Sequence, residues 1–117
     1  MVERRILLVE DEPTGREILV EALRGEGYLV DAVSGAGAAT LSLGSHSYAL
    51  VITDWLLPDG SGVEVADTAA QHGAKTLIVS GLVLQLPGEA RRRHELVLKR
   101  LGPAAVLEAV QRAIGSA

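Results

Sequence analysis

Five polar residues each stand just beyond an apolar run: Glu10 and Asp11 after residues 6–9, Asp54 after 49–53, Ser80 after 76–79 and Lys99 after 96–98. Acids, a hydroxyl and a lysine form a set suited to holding an anion and a cation side by side. Three carboxylates gathered in one crevice repel one another unless a cation joins them. The chain has no cysteine and no histidine near these positions, so the donors are all oxygens, which suits a hard cation such as Mg²⁺. Each residue alone also has a plainer reading. Glu10-Asp11 could be loop acids, Asp54 a turn starter before Leu57-Pro58-Asp59-Gly60, Ser80-Gly81 an ordinary loop pair and Lys99 a surface lysine. The chemical reading rests on all five falling at the ends of different runs, in order.

What must position them is a set of strands. The runs at 6–9, 28–33, 49–53, 76–79 and 96–98 are β-branched or leucine-rich, and at least three have the near-continuous apolar character of strands buried on both faces. Helical patterns lie between them. Thr14 is the expected cap of a helix whose face is Ile18, Leu19, Ala22 and Leu23, and Ser34 that of a second helix carrying Ala38, Leu41 and Leu43. Ser61 or Gly62 opens a third with Val63, Val65, Ala66 and Ala69. Pro103 suits the first turn of a last helix with Val106, Leu107, Val110 and Ile114. In residues 81–95 Pro87-Gly88 interrupts any long helix, leaving a short one at about 89–94. Alternation of this kind predicts right-handed βαβ units and a doubly wound α/β fold: a five-stranded parallel sheet with helices on both faces. The carboxyl ends of parallel strands share one edge, where ligands of such sheets bind, so all five polar residues should meet there.

A chain of 117 residues is read as one domain, 1–117. Apolar residues make up 48% of it, with no Phe, one Trp and two Tyr, so the core must be aliphatic. The lack of cysteine rules out a disulfide scaffold, a thiolate zinc site and a cysteine nucleophile. A net charge of −4 argues against a general nucleic-acid binder, and the one basic cluster, Arg91-Arg92-Arg93, reads as a solvated face. The charged start is unlike a signal peptide, and the most apolar stretch, 48–58, is broken by Asp54, so no membrane association and a cytoplasmic location are expected. His46, His72 and His94 share no metal-ligand spacing and are expected at the surface. Gly35-Ala36-Gly37 lacks the third glycine of a dinucleotide fingerprint.

The residues also carry a resemblance that covers essentially the whole chain. ILLVEDE (6–12), ALVITDWLLPDGSG (49–62), LIVSG (77–81) and LVLK (96–99) resemble the motifs of response-regulator receiver domains of two-component signalling. The resemblance implies a flavodoxin-like sheet of strand order 2-1-3-4-5 with a short or irregular fourth helix. It implies that Asp54 accepts a phosphoryl group from a phosphohistidine on a sensor histidine kinase or histidine phosphotransfer protein. Asp11, Asp54 and the backbone carbonyl of Leu56 would bind Mg²⁺ directly, and Glu10 through a water. Lys99 and Ser80 would meet the phosphoryl oxygens. Such a protein is a switch rather than an enzyme, and it passes its signal to a protein partner.

Three departures bear on the switch. Arg100 stands where the family usually has Pro, and Leu96 stands at its aromatic switch position. Ser80 and Lys99 are also unusually close in sequence. The chain in this respect resembles a short alphaproteobacterial group with a reduced fourth helix, without that group's two aromatics in Ile78 to Val83. The switch is therefore expected in residues 81–95, with Leu82, Val83, Leu84 and Leu86 offered to a partner. Two other readings compete. A haloacid-dehalogenase-type phosphatase would need a general acid two residues after Asp54, where Leu56 stands. A pseudo-receiver binding module would not need all five site residues.

Overall fold

The computed structural model describes residues 4–81 and 88–117. Five strands, β1 (Arg5–Val9), β2 (Leu29–Val33), β3 (Leu50–Asp54), β4 (Lys75–Ser80) and β5 (Glu95–Leu98), alternate with helices α1 (Pro13–Gly25), α2 (Ala36–Ser45), α3 (Gly62–Gln71), α4 (Gly88–Arg93) and α5 (Gly102–Ile114). Every neighbouring pair in the sheet is parallel, in the order β2-β1-β3-β4-β5. This is the doubly wound fold and the strand order anticipated above. A two-residue ladder, Leu56–Leu57 against Gly60–Ser61, lies outside the sheet.

Alternation of side chains along the strands splits the core into two layers. Ile6, Leu8, Leu50, Ile52, Leu77 and Val79 pack with Leu23 of α1 and with Val106, Ala109 and Val110 of α5. Leu7, Val9 and Val51 pack on the other face with Ala39 and Leu43 of α2 and Val65 and Ala69 of α3. β3 is buried at all five positions because it lies mid-sheet under both layers, which accounts for its continuous apolar run.

The helix ends differ in part from expectation. α1 is capped by Glu12, not Thr14: its carboxylate accepts the N–H groups of Thr14 at 2.9 Å and Gly15 at 2.8 Å, and Pro13 occupies the first turn, where no N–H is needed. Ile18 of the anticipated α1 face is 48% exposed. α2 begins after Gly35, not Ser34, and Gly35 has no side chain to cap it. Asp59 does so from across the chain, accepting the N–H groups of Ala36 at 2.7 Å and Gly37 at 2.9 Å. Its buried stripe is Ala39 and Leu43, one turn apart, whereas Ala38 is exposed and Leu41 is 75% exposed. α2 has no charged residue to mark its outer face, so the apolar pattern alone found Leu43 but wrongly turned Ala38 and Leu41 inward. Ser61 caps α3 and Pro103 opens α5 as expected. The short α4 lies within a residue of the anticipated span.

His46 and His72 are exposed, but His94 is buried, contrary to expectation. It stands where α4 runs into β5. One ring nitrogen meets the Thr76 hydroxyl of β4, and Nε2 lies 2.7 Å from an Asp67 carboxylate oxygen of α3. Residues 82–87 fall outside the described residues, and with them the anticipated surface of Leu82, Val83, Leu84 and Leu86. Among the described residues, no helix is long and apolar enough to cross a membrane.

Candidate functional site

The strand ends deliver their polar residues to one edge of the sheet. Glu10 follows β1, Asp54 ends β3, Ser80 ends β4 and Lys99 begins a turn of 3₁₀ helix directly after β5. Carboxylate oxygens of Glu10, Asp11 and Asp54 lie within 4.8 Å of one another. Glu10 and Asp54 are buried, while Asp11 is exposed at the mouth. Lys99 reaches in from the rim: its Nζ lies 3.1 Å from Glu10 Oε1 and 3.3 Å from Asp54 Oδ2. A cleft of about 180 Å³ opens beside Asp54, lined by Trp55, Leu56, Val79, Ser80, Gly81 and Lys99.

The backbone around Asp54 is held closely. Trp55 N–H donates to the Val79 carbonyl at 3.0 Å, continuing the pairing of β3 with β4 by one residue. Gly62 N–H then donates to the Trp55 carbonyl at 2.6 Å, closing the intervening loop. A Cβ on Gly62 would sit 1.8 Å from the Asp54 carbonyl oxygen, so only glycine lets the chain return this close. Glu10 is fixed by the Glu12 N–H, which donates to its carboxylate at 3.1 Å, and by the Arg16 guanidinium, which donates to its backbone carbonyl at 3.0 Å.

The electrostatics follow from crowding. Burial, and then the adjoining Glu10 carboxylate, push Asp54 far above the ordinary carboxylate range, against the pull of Lys99. Burial acts on Glu10 too, but hydrogen bonds from Asp54, the Glu12 N–H and Lys99 outweigh it and hold its carboxyl low. Partial burial would lower Lys99, but contact with Glu10 and Asp54 outweighs this and raises it, so it stays charged. One ammonium does not balance three carboxylates. The all-oxygen donor set and the residual negative charge fit a hard divalent cation in the crevice.

All five anticipated residues therefore come together, and Leu56 lies at the cleft wall with its side chain largely exposed. Leu96 does not reach the cleft: it is half-buried in β5, paired with Ile78. The reading of single motifs missed Glu12 and Arg16, which hold Glu10 through backbone groups, and Asp59, which joins the loop after β3 to α2. Glu12-Pro13 is a recognisable helix-opening signal. Asp59 carries none, because its partners are more than twenty residues away.

A parallel doubly wound sheet with an acidic crevice at its carboxyl edge defines a narrow class of proteins, and comparison with known proteins specifies it. A family model described as the response regulator receiver domain matches residues 6–83, and the chain belongs to that family. The response regulator receiver protein CpdR of Brucella abortus is 35% identical over 68 residues, 58% of this chain and 57% of CpdR. The chain thus spans little more than half the length of that relative, and 24% of the mycobacterial regulator TcrA. Among solved structures, the response regulator TrrA of Thermotoga maritima, in complex with Mg²⁺-BeF, is 32% identical with a TM-score of 0.84, over 94% of this chain and 98% of TrrA. The receiver domain of the sensor histidine kinase PA1611 of Pseudomonas aeruginosa, with a magnesium ion coordinated in its active-site cleft, is 26% identical with a TM-score of 0.83, over 98% and 100%.

Proposed function

We propose that this receiver domain is a phosphoryl-accepting switch in which Asp54 is the acceptor. The observation that carries the reading is the crevice itself. A buried carboxylate beside a cleft is grouped with two further acids and touched by a lysine, and a serine lines the same cleft. A carboxylate oxygen of Asp54 attacks the phosphorus of a phosphohistidine. An O–P bond forms as the P–N bond breaks, and the imidazole nitrogen keeps the electron pair of the broken bond. Lys99, already touching Asp54, is placed to meet a phosphoryl oxygen, and Ser80 can donate its hydroxyl to another. Such transfer is mainly positioning and neutralisation of charge on the equatorial oxygens.

Asp11, Asp54 and the Leu56 carbonyl would hold Mg²⁺, with Glu10 acting through a water, and the ion would supply the positive charge that the phosphoryl group requires. The Mg²⁺-bound relatives support the choice of ion. The donor is a sensor histidine kinase or histidine phosphotransfer protein, and the setting is the cytoplasm, where such donors present their phosphohistidines. The domain is an acceptor and not a turnover enzyme, since Leu56 cannot act as the general acid of a phosphatase. Stoichiometry tests this. Labelled acetyl phosphate with Mg²⁺ should deposit at most one phosphoryl group per chain, and p-nitrophenyl phosphate should not be turned over. Steady release of p-nitrophenol would overturn the reading.

A further inference from the structure

Asp59 lies outside the crevice, yet both of its carboxylate oxygens are engaged. One accepts the Ala36 N–H and the other the Gly37 N–H, joining the loop after β3 to the first turn of α2. These two bonds, the Gly37 one first, hold its carboxyl below the usual range, so the clamp is made by the charged form. The surroundings are cut to fit it. A Cβ on Gly35 would lie 2.6 Å from Asp59 Oδ1, one on Gly37 would lie 3.3 Å from Oδ2, and one on Gly60 would meet the Ala36 Cβ at 3.0 Å. Gly35 is in extended backbone that any residue adopts, so what its position demands is space.

The clamped loop is the one that forms a wall of the cleft through Trp55 and Leu56. Its near end is pinned by the backbone bonds of Trp55 and Gly62. Between these points Leu56 is 68% exposed and Leu57 packs only partly on the core, so side-chain burial does little to hold the wall. We propose that Asp59 is a positioning residue for the crevice: by closing the loop onto α2 it holds Trp55 and Leu56 where a bound cation and phosphoryl group need them. This rests on the reading of the crevice as a cation and phosphoryl site. It extends that site to α2, an element with no residue in it.

The test is Mg²⁺ affinity, read from the emission of Trp55, the sole tryptophan, in Asp59→Ala and, separately, in Gly35→Ala. The second variant keeps Asp59 but fills the space its carboxylate occupies. Each should weaken Mg²⁺ by about fivefold, less than loss of a direct outer-shell partner costs. The double variant should be no weaker than either single one, because both break the same contact. Asp59→Asn, which keeps one acceptor oxygen, should recover part of the loss. Amide exchange at Ala36 and Gly37 should quicken in both single variants. A lowered melting temperature in EDTA with unchanged Mg²⁺ affinity would make Asp59 a helix cap and nothing more, and would overturn the proposal. A parent whose emission and melting temperature both ignore Mg²⁺ would instead overturn the reading of the crevice, and the proposal with it.

Discussion

A carboxylate as buried as Asp54, with Glu10 against it, is held in a state the folded protein would not choose for stability alone. Its raised pKa means that the native state binds a proton more tightly than the unfolded chain does, whose aspartates titrate near about 3.9. The stability from this group is therefore fully present below that value and is lost as pH climbs through the higher native value. In EDTA, Asp54→Asn should be more stable than the parent at pH 8 by about 1–3 kcal/mol, with the gap closing toward pH 5. Urea unfolding at both pH values checks this, and equal stabilities at pH 8 would mean that Asp54 is not crowded. The carboxyls of Asp31 and Asp67 behave in the opposite sense. Burial opposes their ionisation, most strongly at Asp31, where hydrogen bonds from Tyr48 and Arg5 outweigh it; at Asp67 the His94 bond dominates. Both pKa values are lowered, so their contribution is present at neutral pH and disappears only as the pH falls below the usual carboxylate range.

At the scale of elements, legibility depended on how local the determining contacts are. Strands β1, β3 and β4 announce themselves because burial on both faces leaves no polar position to interrupt the run. α3 and α5 announce themselves through Ser61 and Pro103, signals that act within a turn. α2 did not, since its cap arrives from Asp59 and its outer face has no charge. The burial difference along α2 has a measurable consequence: Leu43→Ala should cost about 2–4 kcal/mol, and Leu41→Ala less than about 0.5 kcal/mol. Comparable losses would put the stripe where the apolar pattern alone suggested. His94 escaped the sequence reading for the same reason as Asp59, as its partners Thr76 and Asp67 are distant in the chain. Replacing His94 with Ala removes a buried ring and its links to the half-buried Thr76 hydroxyl and to Asp67, which keeps Arg93, and should destabilise by about 1–3 kcal/mol. A change within error in thermal or urea unfolding would count against that link between α3, β4 and β5.

For the whole molecule, the site was more legible than the parts that support it. Parallel strands place every carboxyl end on one edge, so five residues spread from Glu10 to Lys99 could be assigned to one place before any contact was known. Support comes instead from backbone groups and from residues whose partners only the folded chain brings near, as with Asp59 and α2. The crevice is thus a property of the sheet, and the cation is expected to stabilise the whole domain by binding only the native state. Millimolar Mg²⁺ should raise the parent's melting temperature at pH 8 and raise that of Asp54→Asn less; equal shifts would place the ion elsewhere. The central claim is that Asp54 carries the phosphoryl group, and intact-mass measurement after incubation with acetyl phosphate and Mg²⁺ tests it most directly. The parent should gain one increment of about 80 Da, absent in EDTA and absent from Asp54→Asn. Equal gain by Asp54→Asn would contradict the assignment.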